Sequence, residues 1–182
     1  WMCQLYPADL NDVIWRFSDF PKLAKEAYEH GLTEMVPWAW SEDFNATKIT
    51  PFPHLGSEKD LINAVKSCRE EGINVAMFIS VIQANHKIAS RYGLKVPSEN
   101  RGWNHHTEFL PRFNPSYASQ SASTGVSTSN TKWQNDVAES LQGWSDKGIT
   151  SWVWDQYWTT KEPYMQNLTA RIRDYACKLN PQ

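Results

Sequence analysis

The stretch GWSDKGITSWVWDQYW, residues 143–158, holds a helix end, a strand and a carboxylate in one run. Asp146-Lys147-Gly148 closes a helix that begins near Trp133. Gly148 suits the left-handed position past a helix C-terminus, and Lys147 complements the negative end of the dipole. Ile149 to Trp154 is a β-branched and aromatic run of strand length, too short for a second helix. Asp155 follows it directly. A charge is unwelcome inside a buried strand, so Asp155 is expected at the strand's C-terminal end. In α/β folds that end is where ligands bind and chemistry happens.

Outward from this run, the chain repeats the same unit. Trp1 to Tyr6 is a strand candidate, followed by a polar turn through Asp12. Ser18-Asp19-Phe20-Pro21 opens a helix with a capping residue and an early proline, and Leu23, Ala24, Ala27 and Tyr28 form its apolar stripe. Thr33 to Trp40 is the next strand, with Pro37 demanding a missing ladder bond or a bulge. After the polar loop Ser41 to Gly56, Ser57 and Asp60 make a capping box for a helix whose stripe is Leu61, Ile62, Val65 and Cys68. Ile73 to Ile82 is nearly continuous in apolar residues, as a parallel strand covered on both faces should be. A last helix, from about Pro163 to Leu179, carries Leu168, Ile172, Tyr175 and Leu179 at helical spacing and is expected to pack on the sheet.

Each of the first three helices ends in a glycine shortly before a strand: Gly31, Gly72 and Gly148. This rhythm marks βα units feeding a parallel sheet, so the fold class is α/β, a TIM-barrel-type parallel sheet of about four βα units. A closed eight-stranded barrel takes ~250 residues, more than the 182 present. A small open doubly-wound sheet is the competing arrangement, but neither GxGxxG nor GxxxxGKS occurs. A half barrel alone would expose two apolar edge strands, so either a longer barrel chain or an association that completes it is expected. The start Trp1-Met2-Cys3, with neither initiator Met nor signal peptide, points to an excised piece.

The chain fits a single domain, residues 1–182, with a long loop insertion at about 83–131. Loops of that length are usually functional or mobile. Its first part holds His86, Arg91, Trp103, His105, His106, Glu108 and Arg112; its second, Ser119 to Thr131, is nearly all small and polar and reads as flexible. His105 and His106 with Glu108 lack HxxxH or HExxH spacing, so a solvated polar loop is favoured over a metal cluster, and a substrate-contacting lid is a better functional reading than a metal site.

Net charge is −2 with no basic run, which argues against nucleic acid or an anionic membrane surface as partner. No apolar run reaches the ~18 residues of a spanning helix. Cys3, Cys68 and Cys177 lack metal or redox spacing and are expected buried and reduced. Ten tryptophans are the compositional outlier; they fit either a large aromatic core or stacking surfaces for sugars and other flat ligands.

Four segments carry a resemblance: Val36-Pro37-Trp38-Ala39-Trp40, Leu55-Gly56-Ser57-Glu58-Lys59-Asp60-Leu61, Val75-Ala76-Met77-Phe78-Ile79-Ser80 and Trp152-Val153-Trp154-Asp155-Gln156. Together they resemble the N-terminal half of a glycoside hydrolase (β/α)8 barrel, in the style of the α-galactosidase-like and α-glucosidase-like retaining enzymes, as a distant relative. The resemblance implies a carbohydrate substrate, no cofactor, no metal, and a retaining mechanism with Asp155 as nucleophile at the end of strand four. It places the acid/base carboxylate on a sixth strand, in the remainder of the barrel in the same or an associated chain, so this segment alone is expected to be inactive.

The chain departs from the α-galactosidase-like pattern at Val153, where a lysine is usual, and at Trp38 and Trp40, where acidic residues are common. Trp38, Trp40, Asp43, His105, Arg112 and Trp158 are the candidate substrate contacts, and Asp43 and Glu108 are in-chain carboxylates. For each tryptophan, packing is an equal reading; for Asp155 the alternative is a capping or ion-pairing role. Alternation puts Val153 and Asp155 on one face and Trp152 and Trp154 on the other. Two other functions stay open: a non-catalytic carbohydrate-binding barrel and a metal-dependent lyase. The sequons Asn45-Ala46-Thr47 and Asn167-Leu168-Thr169 would suit a secreted, extracellular product.

Overall fold

A computed structural model describes residues 1–5, 13–38, 40–41, 46–94, 123–126, 130–154 and 163–179. The strands are β1 (Met2–Gln4), β2 (Glu34–Trp38), β3 (Asn74–Ile79), β4 (Gln83–Asn85), β5 (Ser123–Gly125) and β6 (Ser151–Trp154). The helices are α1 (Phe20–Glu29), α2 (Glu58–Glu70), the short α3 (His86–Ala89), α4 (Thr131–Asp146) and α5 (Pro163–Leu179). Four strands form a parallel sheet in the order β1-β2-β3-β6, with helices alternating between them along the chain. The chain resolves into two compact units. The first is Trp1–Glu42, Thr50–Phe78 and Lys147–Val153; the second is Asp43–Ile49, Ile79–Asp146 and Trp154–Gln182.

In the first unit the turns from helix to strand are made as the glycine spacing predicts. Gly31, Gly72 and Gly148 have φ of +77°, +84° and +92°. After α1, Leu32 N–H reaches the Ala27 carbonyl at 3.0 Å and Gly31 N–H reaches Tyr28 at 2.9 Å. After α2, Ile73 N–H bonds Cys68 at 2.9 Å and Gly72 N–H bonds Arg69 at 3.0 Å. Both pairs are Schellman closures, which satisfy carbonyls the helix leaves open and aim the chain back along the sheet. At the other end of α2, Ser57 and Asp60 form the expected capping box. Ser57 N–H and Oγ donate to Asp60 Oδ2 at 2.8 and 2.7 Å, and these bonds hold the Asp60 carboxyl below its ordinary pKa.

The sheet has two unlike faces. Met35, Val75 and Met77 are 0%, 3% and 0% exposed, whereas Glu34 is exposed, Val36, Trp38, Asn74 and Phe78 are partly exposed, and Ala76 on that second face is buried. Phe20, Leu23, Ala24 and Ala27 of α1 and Leu61, Ala64, Val65 and Cys68 of α2 are buried. Tyr28, expected in the α1 stripe, is instead exposed, because its ring lies over Gly72 outside the core. Pro37 sits in β2 opposite Cys3 of β1, while the β2–β3 register covers Glu34 and Met35, short of the proline that has no N–H to give.

In the second unit α4 and α5 pack along each other, and Tyr175 OH bonds Asp146 Oδ1 at 2.8 Å. Tyr164, Met165, Leu168 and Ile172 are the buried side of α5; Leu179, expected in that stripe, is exposed at the helix end. The apolar run to Ile82 leaves the strand at Ile79. There the backbone turns to other partners: Val81 O accepts from Trp133 Nε1 at 2.8 Å, and Ile82 O from Val126 N–H at 2.8 Å. The described parts of the 83–131 loop are not irregular. β4 pairs antiparallel with β5, so Ser123–Gly125, read from composition as flexible, is held by a ladder. Asn130 caps α4 through Oδ1 on Trp133 N–H and donates to Tyr92 O.

Of the three cysteines, none of them disulfide-bonded, Cys3 and Cys68 are buried, and burial pushes their thiols up to about 11 and about 12. Cys177 is exposed, against the expectation, because it lies near the outer end of α5.

Gly31→Ala should cost about 1–2 kcal/mol from backbone conformation alone, since nothing lies within 4 Å of a Cβ there. Gly72→Ala should cost at least as much, because its methyl would meet Tyr28 Cε2 at 3.0 Å and the exposed Tyr28 ring must shift to admit it. Urea titration of both variants checks this, and a Gly31→Ala or Gly72→Ala variant as stable as wild type would refute the conformational cost. A second test uses Asp136, which accepts from Tyr92 OH and Lys132 Nζ, each at 2.7 Å. The Lys132 bond, then the Tyr92 bond, lowers its pKa below the ordinary aspartate value of about 3.9. A lowered folded pKa means the stabilisation is complete above about pH 4 and disappears as pH falls through the folded value. The stability gap between wild type and Asp136→Asn should therefore shrink on acidification; a gap that widens would refute it.

Candidate functional site

A row of side chains marks the N-terminal ends of the strands in the first unit. Glu34, Asn74 and Ser151 are the first residues of β2, β3 and β6. Asn74 Nδ2 donates to Glu34 Oε2 at 3.0 Å, and Ser151 Oγ donates to Asn74 Oδ1 at 2.9 Å. The N-terminal amine adds a bond to Glu34 O at 3.1 Å. This end is knitted together and fits the stability face of a barrel, leaving the opposite ends as the place for chemistry. Sequence reading missed this row; its signal was the polar residue opening each strand.

At the C-terminal ends the side chains are aromatic. Trp38, the last residue of β2, meets Phe78 edge-on with ring centroids 6.0 Å apart. Trp40 is 1% exposed, lies 6.5 Å from the Trp152 ring, and donates its indole N–H to Phe78 O at 2.7 Å. That bond supplies a donor to a β3 carbonyl beyond the stretch where β2 ladders with it. Trp40 is therefore held as packing, while Trp38, partly exposed, keeps ring surface at the strand end. Among the described residues, two buried side-chain polar atoms have no hydrogen-bond partner, Trp152 Nε1 and Ser80 Oγ.

β6 ends at Trp154, the residue before Asp155 in the chain. Asp155, with Asp43, His105, Arg112 and Trp158, lies outside the described residues, as do His106 and Glu108. The structure thus places Trp38 and Trp40 of the candidate contacts, both near the C-terminal end of β2. No group of three or more His, Cys, Asp or Glu residues suited to a metal occurs among the described residues. No helix among the described residues is long and apolar enough to cross a membrane.

The same arrangement is found in solved structures. An α-amylase from Geobacillus thermoleovorans, complexed with acarbose, superposes with a TM-score of 0.64 at 11% identity, covering 88% of this chain and 38% of that one. An α-galactosidase from Thermus thermophilus, in complex with p-nitrophenyl α-D-galactopyranoside, gives 0.63 at 9% identity, with 96% and 36% covered. An α-galactosidase from Geobacillus stearothermophilus gives 0.59 at 12% identity, with 99% and 26% covered. These neighbours are glycoside hydrolases, and the chain has the TIM-barrel-type fold they share, spanning well under half of each. No family model matches the sequence, and no curated protein matches it.

Trp40→Phe removes the donor to Phe78 O and leaves part of the buried indole's volume unfilled, so it should cost at least about 1–3 kcal/mol in urea unfolding. A loss within about 0.5 kcal/mol would mean that the indole bond contributes nothing to this end of the sheet.

Proposed function

We propose that the chain is the catalytic-barrel segment of a carbohydrate-active hydrolase, with Asp155 as the nucleophile of a retaining mechanism. The observation that carries the proposal is the place of β6: the fourth strand of a barrel-type parallel sheet, beside β3, with Asp155 the next residue after its C-terminal end. The likeness of the fold to α-amylases and α-galactosidases supports carbohydrate as the substrate class. Ser151 bonds Asn74 across the strands, and continued alternation would give Asp155 the face of Ser151 and Val153. That is the face on which Glu34, Asn74 and Phe78 remain open to varying degrees, although Ala76 between the last two is buried.

In this reading the ionised Asp155 attacks the anomeric carbon while a second carboxyl, ~5 Å away, protonates the leaving oxygen. Water then resolves the glycosyl ester, the second group having switched to base. The second carboxyl belongs to the remainder of the barrel, which extends the sheet beyond its edge strands β1 and β6, in the same chain or in an associated one. Trp38 supplies a sugar-stacking surface at the strand ends. Asp43, His105, Arg112 and Trp158 are proposed contacts from the connections that follow the strands.

The test is hydrolysis of aryl α- and β-glycosides by the complete barrel, wild type against Asp155→Ala. Turnover should fall by at least about 10³-fold and be restored by azide acting as external nucleophile, giving a glycosyl azide. Undiminished turnover would remove Asp155 from the mechanism, and a loss that azide leaves unrepaired would argue against a covalent intermediate.

A further inference from the structure

Ser80 follows the last residue of β3 and is 3% exposed, yet its hydroxyl has no hydrogen-bond partner among the described residues. Buried hydroxyls in proteins are nearly always paired, and an unpaired one costs stability. Other buried or half-buried hydroxyls of the same unit show how a purely structural one behaves. Ser145 Oγ donates to Leu141 O at 3.0 Å, and Thr169 Oγ1 donates to Met165 O at 2.7 Å. The carbonyl next to Ser80, that of Val81, already accepts from Trp133 Nε1 at 2.8 Å and from Tyr164 OH at 3.4 Å. The first of these is a full-strength bond and the second is long.

The position matters as much as the missing bond. In TIM-barrel folds the residues at the C-terminal ends of strands are the ones that meet ligands. By alternation along β3, Ser80 follows Asn74, Ala76 and Phe78, of which Asn74 and Phe78 are partly exposed and Ala76 is buried, rather than the buried Val75, Met77 and Ile79. An unpaired donor at that place is suited to a partner that arrives with a ligand.

We propose that Ser80 is a substrate-contacting residue whose hydroxyl pairs with a hydroxyl group of a carbohydrate bound at the C-terminal end of β3. The inference rests on the carbohydrate reading and deepens it by naming a contact on strand three. Its signature is opposite movement of stability and binding. Ser80→Ala removes the unpaired group, so the variant should melt a few degrees higher than wild type. The same change should weaken saccharide binding roughly tenfold, because the ligand hydroxyl loses its partner. Ser80→Thr, which keeps the hydroxyl, should bind far closer to wild type.

The experiment is thermal unfolding of the three proteins, with calorimetric titration of acarbose and of p-nitrophenyl α-D-galactopyranoside. A variant Ser80→Ala that melts no higher than wild type shows the hydroxyl to be satisfied and overturns the proposal. Binding equal to wild type overturns it too, while leaving the carbohydrate reading intact. A wild type that takes up neither saccharide removes that reading, and the Ser80 assignment with it.

Discussion

Each strand of the four-stranded sheet after the first is entered through a glycine at positive φ. Parallel strands require the chain to return to the same end each time, and here a helix makes the return. The helix must then stop within a residue or two and reverse. Side chains other than glycine resist the left-handed conformation that this reversal uses. Gly31, Gly72 and Gly148 thus determine where β2, β3 and β6 begin. The Schellman bonds at Ala27 and Cys68 follow from the same geometry. So does the alignment of Glu34, Asn74 and Ser151, whose hydrogen-bonded row depends on the strands starting level with one another.

That alignment gives the sheet a polarity. One end is bound across by polar side chains that have found partners, an arrangement that suits stability. The other end is aromatic, and just past β3 the buried Ser80 Oγ has no partner among the described residues. Proteins tolerate such unpaired groups mainly where function requires them. The contrast between a satisfied end and an unsatisfied one is the structural counterpart of the division that the barrel fold makes between stability and chemistry.

The polar connections show how local chemistry is overridden. Ser123–Gly125 looks unstructured by composition, yet it ladders with Gln83–Asn85, because backbone pairing is indifferent to how small or polar the side chains are. The apolar run through Ile82 looks like one long strand, yet it breaks at Ile79. Hydrophobicity reports burial and cannot say which carbonyls will be taken by Trp133, Tyr164 and Val126.

From the residues alone, the βα rhythm, the parallel sheet and the capping box at Ser57 and Asp60 were legible. Each depends on contacts between residues a few positions apart, where residue type nearly dictates conformation. Cys3 and Cys68 were likewise legible as buried thiols. The fates of Trp38, Trp40 and Tyr28 were not. Trp40 is enclosed and bonded to Phe78, Trp38 keeps part of its ring at the strand end, and Tyr28 lies outside over Gly72. An aromatic ring suits a core and a sugar-facing surface equally well, since both reward its apolar area. Only the neighbours brought up by the fold decide between them, and those neighbours come from segments far away in the chain. The orphaned hydroxyl of Ser80 is of the same kind: a serine is unremarked in sequence, and its missing partner exists only in three dimensions.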